Sequence, residues 1–158
     1  SYQASIRDNQ FLFPLLLCLV PILLLFCLKS AWSALSLSFM TLFTIALAAG
    51  TYSWLGIPFN SISRLGPMVV FVVAIADGIH IASVYTQGLA RGLRDNDAML
   101  ESLKINFVPV TVATITTTMG FLSLNFSSSP AIYGFGNVIA LGVLWAFILT
   151  FTLLPGLI

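Results

Sequence analysis

Charge is scarce in this chain. Its 158 residues carry six Lys and Arg and five Asp and Glu, 7% of the total, where a soluble globular domain carries about 25%. A water-facing surface cannot be built from that inventory, so an ordinary soluble fold is excluded. The net charge of +1 offers no electrostatic footprint for nucleic acid. Cysteine is nearly absent too. Cys18 and Cys27 fall nine residues apart in one apolar run, more than one helical turn and too far to pair on one helix. With a single histidine there is no Cys/His cluster of the kind that marks a metal or redox site. The chain lacks GxSxG, HExxH and a second intramembrane acid for an aspartyl dyad, so it reads as a non-enzyme without a cofactor.

Apolar length is what the sequence has. Hydrophobic residues make up 59% of it, and the mean hydropathy is +1.05. Five runs are long enough to cross a bilayer, over residues 11–28, 35–55, 66–86, 107–126 and 133–154. The fold class is therefore all-α integral membrane, one transmembrane unit across residues 1–158. Pro21 should kink the first span, which Lys29 closes, and Trp32 suits the headgroup level of the short connection. The second span carries hydroxyls at Ser36, Ser38, Thr41 and Thr44 and small residues at Ala46, Ala48, Ala49 and Gly50, which let neighbouring helices approach closely. Gly78, Gly120, Gly136 and Gly142 are expected at helix contacts for the same reason, the last two in the pairs Gly136/Ala140 and Gly142/Ala146. Pro58, Pro67 and Pro109 read as span entries.

The only charged region, residues 91–104, separates the third span from the fourth. Asp95 reads there as an N-cap, and Leu100 and Leu103 share a face, so a short amphipathic helix over about residues 95–105 is expected on the membrane surface. If this region is cytoplasmic, Lys29, Arg91, Arg94 and Lys104 lie inside against Arg7 and Arg64 outside, in accord with the positive-inside rule. The N-terminus is then outside and the C-terminus cytoplasmic. A start at Ser1 and a stop just past the last apolar run read as a piece of a longer polypeptide.

The third span holds the feature that points to chemistry. Asp77 falls about 16 Å into it at about 1.5 Å per residue, where a carboxylate is disfavoured by about 2.5–3.5 kcal/mol on insertion scales. His80 follows three residues later, close enough along a helix to interact. Low dielectric favours the neutral form of an acid, and an imidazole titrates near neutrality unaided. The pair therefore reads as a proton relay, or as a structural hydrogen bond between helices. The fourth span is rich in threonine: Thr111, Thr114 and Thr118 share one helical face, whereas Thr116 and Thr117 point elsewhere.

Several of these stretches resemble a known family. Leu55-Gly56-Ile57-Pro58-Phe59-Asn60 followed by Ala76-Asp77-Gly78-Ile79-His80 resembles the fourth-helix region of resistance-nodulation-division (RND) transporters. The likeness is to the branch of hydrophobic-compound and lipid exporters grouped with the MMPL family. Pro109-Val110-Thr111 through Thr116-Thr117-Thr118-Met119-Gly120-Phe121 resembles the fifth helix, and Phe135-Gly136-Asn137 to Pro155-Gly156 the sixth. The resemblance implies that the five spans are helices two to six of an RND-type six-helix repeat. An extracytoplasmic domain and a second repeat, or another subunit, would complete the protein.

It also implies export of hydrophobic or lipidic substrates from a bacterial inner membrane, coupled to a proton gradient rather than to a cofactor. Asp77 would be the relay acid, and Thr116 and Thr117 the Thr-Thr pair of the relay or its packing. This chain has Gly78 and then His80 where many members have a second acid or a Tyr. The alternative is a lipid-binding regulatory module like the sterol-sensing domains, which share the five-span arrangement.

Overall fold

The computed structural model describes residues 14–15, 18–26, 28, 30–56 and 62–158. Residues 18–26 are helical, and the rest of the expected first span lies largely outside the described residues, as do Ile57 to Asn60 of the resemblance. Among the described residues the chain then forms α1 (Ala31–Trp54), α2 (Gly66–Ala90), α3 (Asp95–Leu122), α4 (Pro130–Thr152) and a final turn, α5 (Leu154–Leu157). Among the described residues four helical stretches, Ala31–Trp54, Ser63–Ala90, Asp95–Phe126 and Pro130–Thr152, are long and apolar enough to cross a bilayer. The protein is an all-α integral membrane protein.

Local chemistry sets the ends of these helices. The Ser30 hydroxyl accepts from the Ser33 N–H and caps α1. Pro67 and Pro130 lie in the first turns of α2 and α4, where a missing N–H removes no helical bond. Gly92 adopts φ 86°, the left-handed conformation that closes a helix. The Leu93 N–H donates to the Gly88 carbonyl at 3.2 Å, and the chain reverses into α3. Asp95, expected as the N-cap, is instead the first helical residue. Arg94 occupies the cap with ψ 154°, and Asp95 and Asp97 stand in the first turn, where their charge complements the helix dipole.

Two further features differ from the sequence reading. The surface helix expected over residues 95–105 and the fourth span form one uninterrupted helix of 28 residues. Its continuity is local: no helix-stopping residue separates Lys104 from Phe107. Pro109, read as a span entry, lies inside that helix and leaves one turn without its backbone bond.

The four long helices pack against one another around a core that includes Leu37, Met40, Phe71, Ala74, Ile81, Ala146 and Leu149. Val108, Val112, Ile115 and Met119 on the outer face of α3 are exposed, which suits a lipid surrounding, since helices apolar on every side are buried or span a membrane. A Cβ on Gly78 would overlap the Leu37 side chain, one on Gly142 the Val70 side chain, and one on Gly136 the Phe121 carbonyl oxygen. Gly120 departs from expectation. It is exposed, and nothing lies within 4 Å of where its Cβ would be; it is on the outward side of α3, away from every described helix. The far end of the chain is tied to the near end, the Leu157 carbonyl accepting from Trp32 Nε1 at 2.8 Å and Ser36 Oγ at 3.0 Å.

Candidate functional site

Asp77 lies on the buried side of α2, 8% exposed. Its Oδ2 is enclosed and has no hydrogen-bond partner among the described residues. The flanking glycine decides how deeply it sits. Gly78 admits Leu37 of α1 into van der Waals contact with the α2 backbone, so the acid is drawn between helices rather than held at their surface. His80 differs from its neighbour: it is exposed. Three residues turn about 300°, so the two side chains stand about 60° apart around the helix, near enough to interact electrostatically while only the carboxyl is buried.

The threonines of α3 divide as the helical period dictates. Thr114 and Thr118 are buried, at 5% and 8% exposure. Thr116 is exposed and donates to the Val112 carbonyl at 2.8 Å, and Thr117 is half-buried. Thr111 donates to the Phe107 carbonyl at 2.6 Å. Of the Thr-Thr pair that the resemblance favours, one member is therefore exposed and the other half-buried, whereas Thr114 and Thr118 are buried.

The buried residues of α3 are Ala98, Ser102, Asn106, Val110, Thr114 and Thr118, one at every fourth position. Four residues advance about 40° beyond a full turn, so the stripe winds around the helix. It begins against α2, where Ser102 Oγ donates to the Ile81 carbonyl at 2.6 Å. Asn106 Nδ2 donates to the Ser102 carbonyl at 2.9 Å and to the His80 carbonyl at 3.3 Å. It ends against α4, where Thr118 lines a cavity of about 300 Å³ with Leu55, Leu122, Tyr133, Asn137 and Ala140. The two anchors set the register of the antiparallel pair.

Ser102 and Asn106 are residues the sequence reading missed. The signal was available as a polar or small side chain at every fourth position from 98 to 118, a period hidden by the change from charged to apolar flanks at Lys104. At the other end of α3, the 3-10 turn Ser123–Phe126 meets α4 through a reciprocal amide pair, Asn125 with Asn137. Phe121 packs edge-on against Phe135 with ring centroids 6.1 Å apart.

Comparison with known proteins adds to this geometry. The sequence model of the MMPL family matches residues 2–158. The nickel and cobalt resistance protein CnrA of Cupriavidus metallidurans is 26% identical over 160 residues, which are 98% of this chain and 15% of the relative. A membrane protein of Methanocaldococcus jannaschii is 27% identical over 117 residues, 74% of this chain and 30% of the relative. The chain spans less than a third of the length of either curated relative.

Proposed function

The chain belongs to the MMPL family, and from that premise we propose that it is part of the membrane domain of a proton-driven exporter. Asp77 is the acid that carries the coupling proton. The observation that supports this most is a carboxyl 8% exposed inside a membrane-spanning helix, with an enclosed oxygen that no described residue satisfies. An acid at that depth is costly, and perturbed acids cluster where they are used. Neutralising it by protonation removes the cost of burying charge and changes how α2 packs on its neighbours, so loading and unloading a proton biases the bundle between two arrangements.

His80, exposed as it is, is not required for the relay, and Thr116 and Thr117 serve packing and helix geometry. The cargo is a hydrophobic or lipidic molecule, chosen by parts of the protein beyond this chain: an extracytoplasmic domain and a second repeat or partner subunit. The membrane is a bacterial inner membrane, with residues 91–104 on the cytoplasmic side, the N-terminus outside and the C-terminus inside.

In the full-length protein, Asp77→Asn is expected to abolish transport driven by an imposed proton gradient while leaving membrane insertion and expression intact. Undiminished gradient-driven transport in that variant overturns the assignment. The second reading, a lipid-binding regulatory module, draws its support from the mainly apolar cavity around Thr118. It requires activity that survives collapse of the gradient together with saturable lipid binding.

A further inference from the structure

We infer that the bundle is built as two arms, α1 with α4 and α2 with α3, joined at one membrane face and free to part along the seam between them. The inference deepens the relay reading. It rests on that reading for what drives the seam, and on geometry alone for where the seam runs.

The division follows from which helices are tied by side-chain hydrogen bonds. Thr150 Oγ1 of α4 donates to Met40 Sδ of α1 at 3.8 Å, and Trp145 Nε1 donates to Thr51 Oγ1 at 3.3 Å. With the bonds from Trp32 and Ser36 to the Leu157 carbonyl, this arm is tied at three levels. The other arm is tied by Ser102 to the Ile81 carbonyl, by Asn106 to the His80 carbonyl and by the Arg91–Glu101 ion pair. None of these bonds crosses the seam.

The close contacts that do cross it are apolar. A Cβ on Gly78 of α2 would overlap Leu37 of α1, one on Gly142 of α4 would overlap Val70 of α2, and one on Gly66 of α2 would overlap Val138 of α4. Farther along, the Phe107 ring of α3 meets Phe147 and Phe151 of α4. Helices that meet through glycines and apolar side chains shift without breaking a directional bond. The seam is also incompletely filled. A cavity of about 100 Å³ is lined by Ser38 and Leu42 of α1 and by Phe71 and Ile75 of α2. The cavity of about 300 Å³ lies between Thr118 and Leu122 of α3 and Tyr133 to Leu144 of α4. Gaps of this kind forfeit dispersion contacts, so these surfaces hold together less firmly than the helices within an arm.

The connections agree. The segments that pass from arm to arm, residues 55–65 and 123–129, both lie at the face where α2 and α4 begin, and there the Asn125–Asn137 pair adds a polar tie. At the opposite face each arm is closed on itself, one through the turn at Gly92 and the other through the clasp on Leu157. Two arms tied at one end and apolar along their length can pivot. Asp77 stands next to the Gly78 contact, its Oδ2 without a described partner. Its electrostatic neighbour is His80. On the packed helices the other groups able to carry charge include Tyr52 and Tyr133 toward the joined face and Asp95, Asp97, Glu101 and Lys104 toward the opposite one. A change of charge at Asp77 therefore falls on the seam itself.

Spin labels on pairs of cysteines test the division, in the full-length protein freed of other cysteines and reconstituted in lipid. Ala31 with Asn96 spans the arms at the free face, and Ser53 with Leu122 spans them at the joined face. Ala31 with Gly156, and Gln87 with Asn96, each stay within one arm. All these positions are exposed, so the labels leave the packing alone. Asp77→Asn removes the charge and keeps the shape. It is expected to shift the Ala31–Asn96 distance by at least the roughly 1–2 Å of helix shifts at interfaces and to leave the other three unchanged. Within-arm distances that move as far as Ala31–Asn96, or no response at any pair, overturn the proposal.

Should Asp77→Asn fail to insert, the clasp decides the matter. Trp32→Phe combined with Ser36→Ala is expected to widen the Ala31–Gly156 distance distribution while Gln87–Asn96 stays narrow. Equal widening of both, or of neither, overturns the two-arm division. A seam that shifts in a protein whose transport ignores Asp77→Asn keeps the arms and removes the relay. Loss of transport with no shift does the opposite.

Discussion

Asn125 and Asn137 face each other as a reciprocal pair, each side-chain amide donating to the other's Oδ1, at 3.2 and 3.0 Å. They join the end of α3 to the first turns of α4, and Asn137 also forms wall of the cavity next to Thr118. Asn125→Ala leaves one amide unpaired at a partly solvated site. It is expected to lower unfolding free energy in detergent by about 0.5–1.5 kcal/mol, and a double-mutant cycle with Asn137→Ala should give a coupling of the same sign.

Two glycines on α3 and α4 should respond to alanine with opposite signs. At Gly136 the new methyl meets the carbonyl oxygen of Phe121, a backbone atom that cannot swing aside, so the helices must part at a cost of about 1–3 kcal/mol. At Gly120 nothing lies within 4 Å, and replacing a glycine inside a helix by alanine gains about 0.5–1 kcal/mol. Thermal denaturation of the two variants in one detergent checks both. Equal shifts in the same direction contradict the packing described.

Asn106 is expected to matter more than its place in the sequence suggests. Asn106→Leu keeps the branching of the side chain but removes the donor to two carbonyls, and losing such a buried bond costs about 1–3 kcal/mol. Ser102→Ala should cost less, about 1 kcal/mol, since the bond to Ile81 is lost together with only a long one, at 3.5 Å, from Asn106 Nδ2. Hydrogen exchange at the backbone amides of residues 78–85 reports whether α2 has loosened.

On the charged surface the opposite result is expected. Arg91 and Glu101 approach to 2.6 Å, but the Arg side chain is 58% exposed, and exposed ion pairs contribute about 0–1 kcal/mol. Glu101→Gln should change stability by less than about 0.5 kcal/mol, and raising the salt concentration should erase even that difference.

Much of the fold could be read from the sequence because apolar length and turn residues are local signals. The positions of α1, α2 and α4 follow from hydropathy, and the break after α2 follows from the charged region 91–104. What could not be read depends on which side of a helix meets a partner. Asp77 and His80 look equivalent at three residues' separation, yet only one is buried. Composition ranks Thr116 and Thr117 with Thr114 and Thr118, yet the winding of the stripe selects the latter pair. Gly120 was expected at a helix contact as Gly136 was, but nothing lies within 4 Å of where its Cβ would be. The join between the charged segment and the fourth span was hidden by the abrupt change of polarity at Lys104, which does not mark where the helix ends.

That join has a mechanical meaning. At about 1.5 Å per residue, α3 is about 42 Å long, well beyond the roughly 30 Å of hydrocarbon it must cross. A rod of this kind has length to spare, with its charges at one end and the cavity next to Thr118 at the other. A tug on Asp95, Asp97 or Glu101 in the first turns of the rod is carried along it toward Thr118, with Pro109 as the softened joint between handle and tip.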